Sequence, residues 1–128
     1  MRKIPAVLII ILVSTLFSCK KTGINGNVPL TGNWVAVQDL ADPGDGSGTW
    51  QPLQVKTTAQ FSADGSVSGT AFEGYTKYVV KDSITLTFTK PDKSFENFYY
   101  QIKHDTLTMS PAGPVICFEP CGTKFKKQ

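Results

Sequence analysis

The sequence has few of the residues on which most enzymes and metal sites depend. Its 128 residues include one histidine and three cysteines. The histidine, His104, stands beside Asp105 in a predicted turn, and no serine or cysteine near it in the sequence is placed as a nucleophile. The carboxylates show no spacing typical of a glycosidase pair. We therefore expect a protein that is not an enzyme and that has neither catalytic residues nor a cofactor.

The sequence also lacks an apolar run of the about 20 residues that a membrane-spanning helix needs. Its long apolar run, Ile4 to Phe17, has 14 residues and follows the basic pair Arg2-Lys3. A basic start and a short apolar segment are typical of a secretory signal peptide, which is removed from the mature protein. The run ends at Leu16-Phe17-Ser18-Cys19, which resembles the lipobox of bacterial lipoproteins.

This resemblance implies that Cys19 is the lipidation site, because the lipobox cysteine takes a diacylglyceryl group and becomes the first residue after cleavage. We expect residues 1–18 to be a lipoprotein signal peptide and residues 19–29 to be a lipidated, flexible tether. Fatty acyl chains such as palmitate, more than one of which is needed for stable attachment, would hold the protein on a membrane. An ordinary secretory signal or an uncleaved anchor is the alternative.

Two features then indicate location and partners. The lipobox is followed by Lys20-Lys21. An acidic run at this position would resemble a surface-export signal, and it is not present. We therefore expect a lipid-anchored protein of the bacterial cell envelope, on the outer membrane and facing the periplasm. Without Arg2 and Lys3, 11 basic side chains remain against 10 acidic ones. No basic stripe interleaved with aromatic residues is left, which excludes nucleic acid as the expected partner.

From Leu30 onward the sequence alternates apolar and polar residues in short runs, a pattern typical of β-strands. Asp64-Gly65, Pro91-Asp92 and His104-Asp105 are turn signals between these runs. The pattern predicts about eight strands and hardly any helix, with strands at roughly 33–40, 53–62, 66–73, 75–80, 84–89, 95–102, 106–110 and 115–126. We expect residues 30–128 to form an all-β domain, a small antiparallel up-and-down barrel, with a β-sandwich as the alternative.

The first strand opens with Gly32-Asn33-Trp34. A G-x-W at this position resembles the lipocalin signature. Together with LTGNW, the FSADGSVSG hairpin and the closing CFEPCGTKFKK, it makes the chain resemble the lipocalin-like domains of bacterial lipoproteins. The resemblance implies that Trp34 closes one end of the barrel, beneath a basic side chain of the last strand, Lys124 or Lys126.

The predicted interior holds many large side chains. The positions expected to face inward include Trp34, Phe61, Phe72, Tyr78, Leu86, Phe88, Phe98, Tyr100, Ile102, Leu107 and Met109. An eight-stranded barrel has room for such side chains or for one small molecule, so this set predicts a mostly filled interior with at most a shallow pocket at one mouth. We place that pocket under the loop 41–50, capped by Trp50.

Two functions fit this interior. In one, the barrel binds a small hydrophobic ligand, with Trp50, Tyr78, Phe98 and Tyr100 as candidate contacts. In the other, it is a non-catalytic interaction, inhibitor or accessory module with a filled core that docks an envelope protein. Phe95 and Tyr99 alternate with the inward residues of their strand and are therefore expected on the outer face, where they would form a docking patch.

Cys117 and Cys121 form the other chemical pair of the sequence. Glu119-Pro120 can bend the chain between them, which brings their Cα atoms to the roughly 4.4–6.8 Å that a disulfide requires. An oxidising envelope compartment favours that bond. Because these two cysteines pair with each other, Cys19 is left for the lipid.

Two sets of residues have the chemistry of metal ligands, but neither has the expected spacing or fold, and no metal is expected. The two paired cysteines, with His104 and Met109, could hold copper. However, glycine follows the second cysteine where copper chaperones with this spacing carry proline, and the predicted fold is not theirs. Asp39, Asp42 and Asp45 could hold calcium, but their spacing differs from that of an EF-hand loop.

Overall fold

The computed structural model describes residues 27–128. The predicted signal peptide, the lipidation site Cys19 and most of the tether lie outside the described residues. Between residues 27 and 128, no helix is long and apolar enough to cross a membrane.

Nine β-strands account for most of the regular structure in residues 27–128, where no α-helix is present. A single 3-10 turn, Thr70–Phe72, lies between the fourth and fifth strands. The prediction of an all-β fold is therefore confirmed. The strands are β1 (Gly32–Ala41), β2 (Thr49–Pro52), β3 (Thr58–Phe61), β4 (Val67–Ser68), β5 (Lys77–Val80), β6 (Thr85–Thr89), β7 (Phe95–Lys103), β8 (Thr106–Gly113) and β9 (Thr123–Lys127).

The strands form one antiparallel sheet that curls into a nearly closed barrel. Its order is β4-β3-β1-β9-β8-β7-β6-β5, with β2 beside β1. The two outer strands, β4 and β5, lie close to each other. The Tyr78 N–H donates to the Gly65 carbonyl at 2.8 Å, and the Val67 N–H donates to the Thr76 carbonyl at 3.1 Å. Strands that are adjacent in the chain are thus adjacent around the barrel, apart from β2. This is the predicted up-and-down barrel, and it leaves little exposed strand edge.

The predicted strand 53–62 is split in the structure. β2 and β3 lie along the same edge of β1. Between them, the Leu53 N–H donates to the Val37 carbonyl at 3.0 Å and the Ala36 N–H donates to the Thr57 carbonyl at 2.9 Å. Residues 54–56 leave the ladder between these two bonds. The alternation continued through this excursion, so the sequence pattern did not indicate it.

Two other predicted strands are shorter than expected. β4 has two residues and is followed by Gly69 at φ 110°. A side chain at Gly69 would collide with the carbonyl oxygen of Thr58, so a glycine is required where the chain crosses β3. The last strand begins at Thr123 rather than at residue 115, because residues 114–122 form a loop.

The barrel has two different ends. The closed end is where β1 begins and β9 ends, and it carries the turns at 62–66, 81–84 and 104–105. The open end carries the segments 42–48, 53–57, 69–76, 90–94 and 114–122. The buried apolar residues of the core are Trp34, Ala36, Ala59, Phe61, Val67, Phe72, Tyr78, Leu86, Phe88, Leu107, Met109 and Phe125.

Candidate ligand-binding site at the open end of the barrel

A cavity of about 570 Å³ opens at the open end. This volume falls within the roughly 300–1,000 Å³ of small-molecule sites. The buried side chains of Phe72, Met109 and Phe125 contribute to its lining, and the half-buried Phe98 and Leu53 do so as well. The lining is therefore mainly apolar.

The cavity exists because the two halves of the barrel are filled differently. Toward the closed end, the ring of Trp34 is fully buried, and the rings of Phe61 and Tyr78 pack edge to face with their centroids 5.1 Å apart. Toward the open end, small side chains such as Thr57 and Ala71 line the wall. The interior is thus filled in one half only, and the pocket at the mouth is larger than the shallow one expected.

A β-bulge turns a carboxylate into this cavity. Ala36 lies opposite Phe125, but the next pair is Gln38 with Lys124, so Val37 is an extra residue on β1. Strict alternation from Ala36 would place Gln38 inside, and the extra residue places Asp39 there instead. Asp39 lines the cavity, and its Oδ1 accepts a hydrogen bond of 2.7 Å from the Thr123 hydroxyl.

The disulfide loop, residues 114–122, forms part of the rim. The Cα atoms of Cys117 and Cys121 are 6.2 Å apart and their sulfur atoms lie at bonding distance, in agreement with the predicted pair. Cys121 is one of the lining residues. Glu96, which is only 5% exposed, accepts hydrogen bonds of 3.1 and 3.2 Å from the Val115 N–H. The buried carboxylate thereby holds the start of the loop against β7.

Tyr75 adds a polar group to the lining. Burial, together with the nearby charge of Glu96, raises the pKa of its phenol above the usual value. The Lys90 ammonium lies 5.0 Å from the centroid of the Tyr75 ring. Tyr75 therefore presents a neutral hydroxyl at the mouth at ordinary pH.

Only one of the four candidate ligand contacts lines the cavity. Phe98 does so. Trp50 does not cap it: the Trp50 indole packs under Lys124, whose Nζ is 3.9 Å from the ring centroid, and both belong to the outer face of the barrel. Tyr78 donates to the Ser62 carbonyl at 2.9 Å near the closed end. Tyr100 is half-buried on β7 and is not among the lining residues.

Trp34 lies at the closed end, where the lipocalin resemblance places it. Its ring is fully buried, and its Nε1 donates to the Leu30 carbonyl at 2.7 Å. The cation over the ring is Lys127, 4.6 Å from the ring centroid, and not Lys124 or Lys126. The expectation for those two lysines was wrong because β9 extends through Lys127, which lies directly opposite Trp34.

Lys127 also ties the chain entry to the barrel. Its ammonium donates to the carbonyls of Pro29 and Thr31. Partial burial lowers the pKa of this ammonium below the usual value. Gly32 leaves room for it, since a Cβ there would lie 2.6 Å from the Lys127 Nζ. The closed end is therefore sealed by a ring, a cation and the first described residues.

The aspartates of the calcium hypothesis do not converge on a common point. Asp42 accepts hydrogen bonds from the N–H groups of Gly44 and Gly48 at 2.8 and 3.1 Å, and Asp45 accepts one from Ser47 at 2.9 Å. Within the described part of the chain, no group of three or more histidine, cysteine or acidic side chains is arranged to hold a metal ion.

Apolar side chains are also exposed outside the cavity. Phe118, in the disulfide loop, is fully exposed, and Val115 and Ile116 precede it with large exposed fractions. Phe95 and Tyr99, predicted on the outer face, are 53% and 52% exposed. The molecule thus has both an apolar cavity and exposed apolar surface.

The sequence analysis did not predict that two carboxylates, Asp39 and Glu96, point into the barrel. Glu96 alternates with Phe98 and Tyr100, so the same pattern that placed those rings inside also indicated an inward carboxylate. Asp39 had no such signal, because the bulge at Val37 cannot be read from the alternation.

No family model, curated protein or solved structure matches this chain.

Proposed function

We propose that this protein is a lipid-anchored lipoprotein of the bacterial envelope whose lipocalin-like barrel binds a small hydrophobic molecule. The observation that carries the proposal is the cavity of about 570 Å³ at the open end. Its apolar lining would bury the body of such a ligand, and burial of apolar surface contributes about 25 cal/mol per Å².

The position of the described chain start supports this arrangement. The Val28 N–H donates to the His104 carbonyl at 2.9 Å, and the His104 N–H donates to the Asn27 side chain at 2.6 Å. The chain therefore joins the barrel at the closed end. An anchor at Cys19 would precede that end, so the cavity opens on the side opposite to the chain entry.

Native mass spectrometry of the full-length protein, extracted from its host membrane, tests the ligand. We expect the wild type to carry a bound small molecule in addition to its acyl chains. Ala71→Trp places an indole in the cavity that Ala71 lines and should remove the bound molecule. Ala63→Trp, in the exposed turn after β3, is the matched control and should retain it. A wild type without bound molecule, or an Ala71→Trp variant that keeps it, would contradict the proposal.

Metabolic labelling with alkyne-tagged palmitate tests the anchor. The wild type and the double variant Cys117→Ser/Cys121→Ser should both take up the label. Cys19→Ala should not, because its thiol is the proposed acceptor. Label retained by Cys19→Ala would show that the site is wrong.

A second candidate function is docking of an envelope protein, favoured by the full exposure of Phe118. Val115 and Ile116 in the same loop are exposed as well, and a cluster of exposed apolar side chains is a common feature of interaction sites. Replacing Phe118 by a photoreactive phenylalanine analogue in living cells should then give one discrete cross-linked species. The same analogue at the exposed Lys81 is the control. Identical cross-linking from both positions would count against this function.

A further inference from the structure

The charge of the cavity indicates what kind of hydrophobic molecule it would accept. Of the residues that line it, only Asp39 carries a charge. We propose that the ligand has an apolar body and a cationic amine, and that the amine binds the Asp39 carboxylate. This inference rests on the proposed ligand-binding function and specifies the ligand class.

Asp39 has one oxygen free for this role. Its Oδ1 accepts the hydrogen bond from Thr123, which fixes the orientation of the carboxylate. Within residues 27–128, the Asp39 side chain has no other hydrogen bond, and its Oδ2 is not buried. A ligand ammonium can therefore reach this oxygen from the cavity.

No lysine neutralises Asp39 inside the cavity. Lys124 is the chain neighbour of Thr123, but its ammonium lies over the Trp50 ring on the outer face. Lys90 lies over the Tyr75 ring and is not a lining residue. Among the described residues, the ion pair that the structure contains joins Lys126 to Asp105 at the closed end. The residues that line the cavity thus carry one net negative charge.

This charge discriminates between ligand headgroups. In a partly desolvated site, a carboxylate attracts a cation and repels an anion more strongly than it does in water. A ligand carboxylate would meet Asp39 without a basic partner among the lining residues, whereas an ammonium would form a charge-assisted hydrogen bond. Amines are therefore favoured over fatty acids of the same apolar size.

Three soluble probes that share one apolar body test the inference: 4-butylbenzylamine, 4-butylbenzyl alcohol and 4-butylbenzoate. Their binding to the full-length acylated protein is measured by equilibrium dialysis, with protein-free micelles as the blank. We expect the wild type to bind the amine at least about tenfold more tightly than the benzoate, with the alcohol between them.

Asp39→Asn removes the charge and keeps an oxygen that can accept the Thr123 hydrogen bond, so it should reduce the preference to about threefold or less. Asp42→Asn, in the adjacent loop and outside the cavity lining, should keep the full preference. Equal or tighter binding of the benzoate by the wild type would overturn the inference, as would an unchanged preference in Asp39→Asn. If the wild type bound none of the probes, the proposed function would fail together with this inference, whereas binding without headgroup preference would overturn the inference alone.

Discussion

The two halves of the barrel are built from the same strands but are filled in opposite ways. Toward the closed end, the interior holds Trp34 and a cluster of aromatic rings with almost no exposed surface. Toward the open end, small side chains such as Thr57 and Ala71 stand among larger apolar ones and leave a cavity of about 570 Å³. The comparison indicates that stability resides mainly in the closed half. The residues of the open half contribute less to stability and can therefore serve ligand binding.

Removal of a large side chain from the closed half should have the largest effect on the free energy of unfolding. Trp34→Ala should lower the free energy of unfolding by about 3–5 kcal/mol, because it removes a fully buried ring and its hydrogen bond. Val55→Ala, at the rim of the cavity, should change it by less than about 0.5 kcal/mol. Urea unfolding followed by circular dichroism measures both. Similar losses in the two variants would show that the halves do not differ in this way.

Adding the same side chain to each half sharpens the comparison. Ala59 is buried in the core opposite Trp34 at the closed end, and Ala71 lines the cavity. Ala59→Trp should destabilise the protein by at least about 1–3 kcal/mol, since a filled core resists extra volume. Ala71→Trp should cost less than about 1 kcal/mol, because the cavity can take up the ring. The urea midpoints of the two variants give the difference, and a larger loss for Ala71→Trp would contradict a genuine cavity.

Removing the disulfide should change local structure mainly in the open half. Cys117→Ser/Cys121→Ser removes a cross-link over a separation of four residues, which the chain-entropy estimate values at about 2 kcal/mol. We also expect weaker ligand binding, because Cys121 lines the cavity. Amide hydrogen exchange should increase more in residues 114–122 than in β1 and β6, whose amides are affected only through the loss of global stability. An equal increase in the loop and in these two strands would show that the loop is part of the stabilising half.

The sequence predicted the closed half better than the open half. Alternation placed Phe61, Leu86 and Leu107 in the interior, and all three are buried. This works because a strand with one buried face has a side-chain period of two. The turn signals located the hairpins for the same local reason: Asp64-Gly65 is in the tight turn where the Ser62 N–H donates to the Ser66 carbonyl.

The cavity depends on departures from that regular pattern. The bulge at Val37, the excursion of residues 54–56 and the loop 114–122 each shift side chains in a way that local alternation does not encode. The position of Asp39 follows from the pairing of β1 with β9, two strands at opposite ends of the chain. Long-range register of this kind cannot be read from a single sequence, so the site residues were mostly missed although the fold was found.

The smallest difference between the two ends is expected in the contribution of their turns to stability, which can be measured by lowering the pH. Asp64 and Asp82 lie at the closed end and Asp92 lies at the open end, and each accepts a hydrogen bond of 2.9 Å from the N–H two residues later. The pKa of each carboxyl is lowered. For Asp64 and Asp92 the main cause is the hydrogen bond from a serine side chain, and for Asp82 it is the hydrogen bond from the backbone N–H of Ile84.

Because the folded pKa values lie below the ordinary 3.8, the ionised turns stabilise the fold above that value. This contribution is lost as the pH falls through the lowered pKa, since the unfolded chain binds protons first. Urea midpoints should therefore decrease on acidification below about pH 4, and Asp64→Asn and Asp92→Asn should each remove a small, similar part of that decrease. The effect is small because all three carboxylates are exposed to solvent. A midpoint that rises on acidification would show that the sign is wrong, and a decrease removed by only one of the two variants would show that the turns of the two ends are not equivalent.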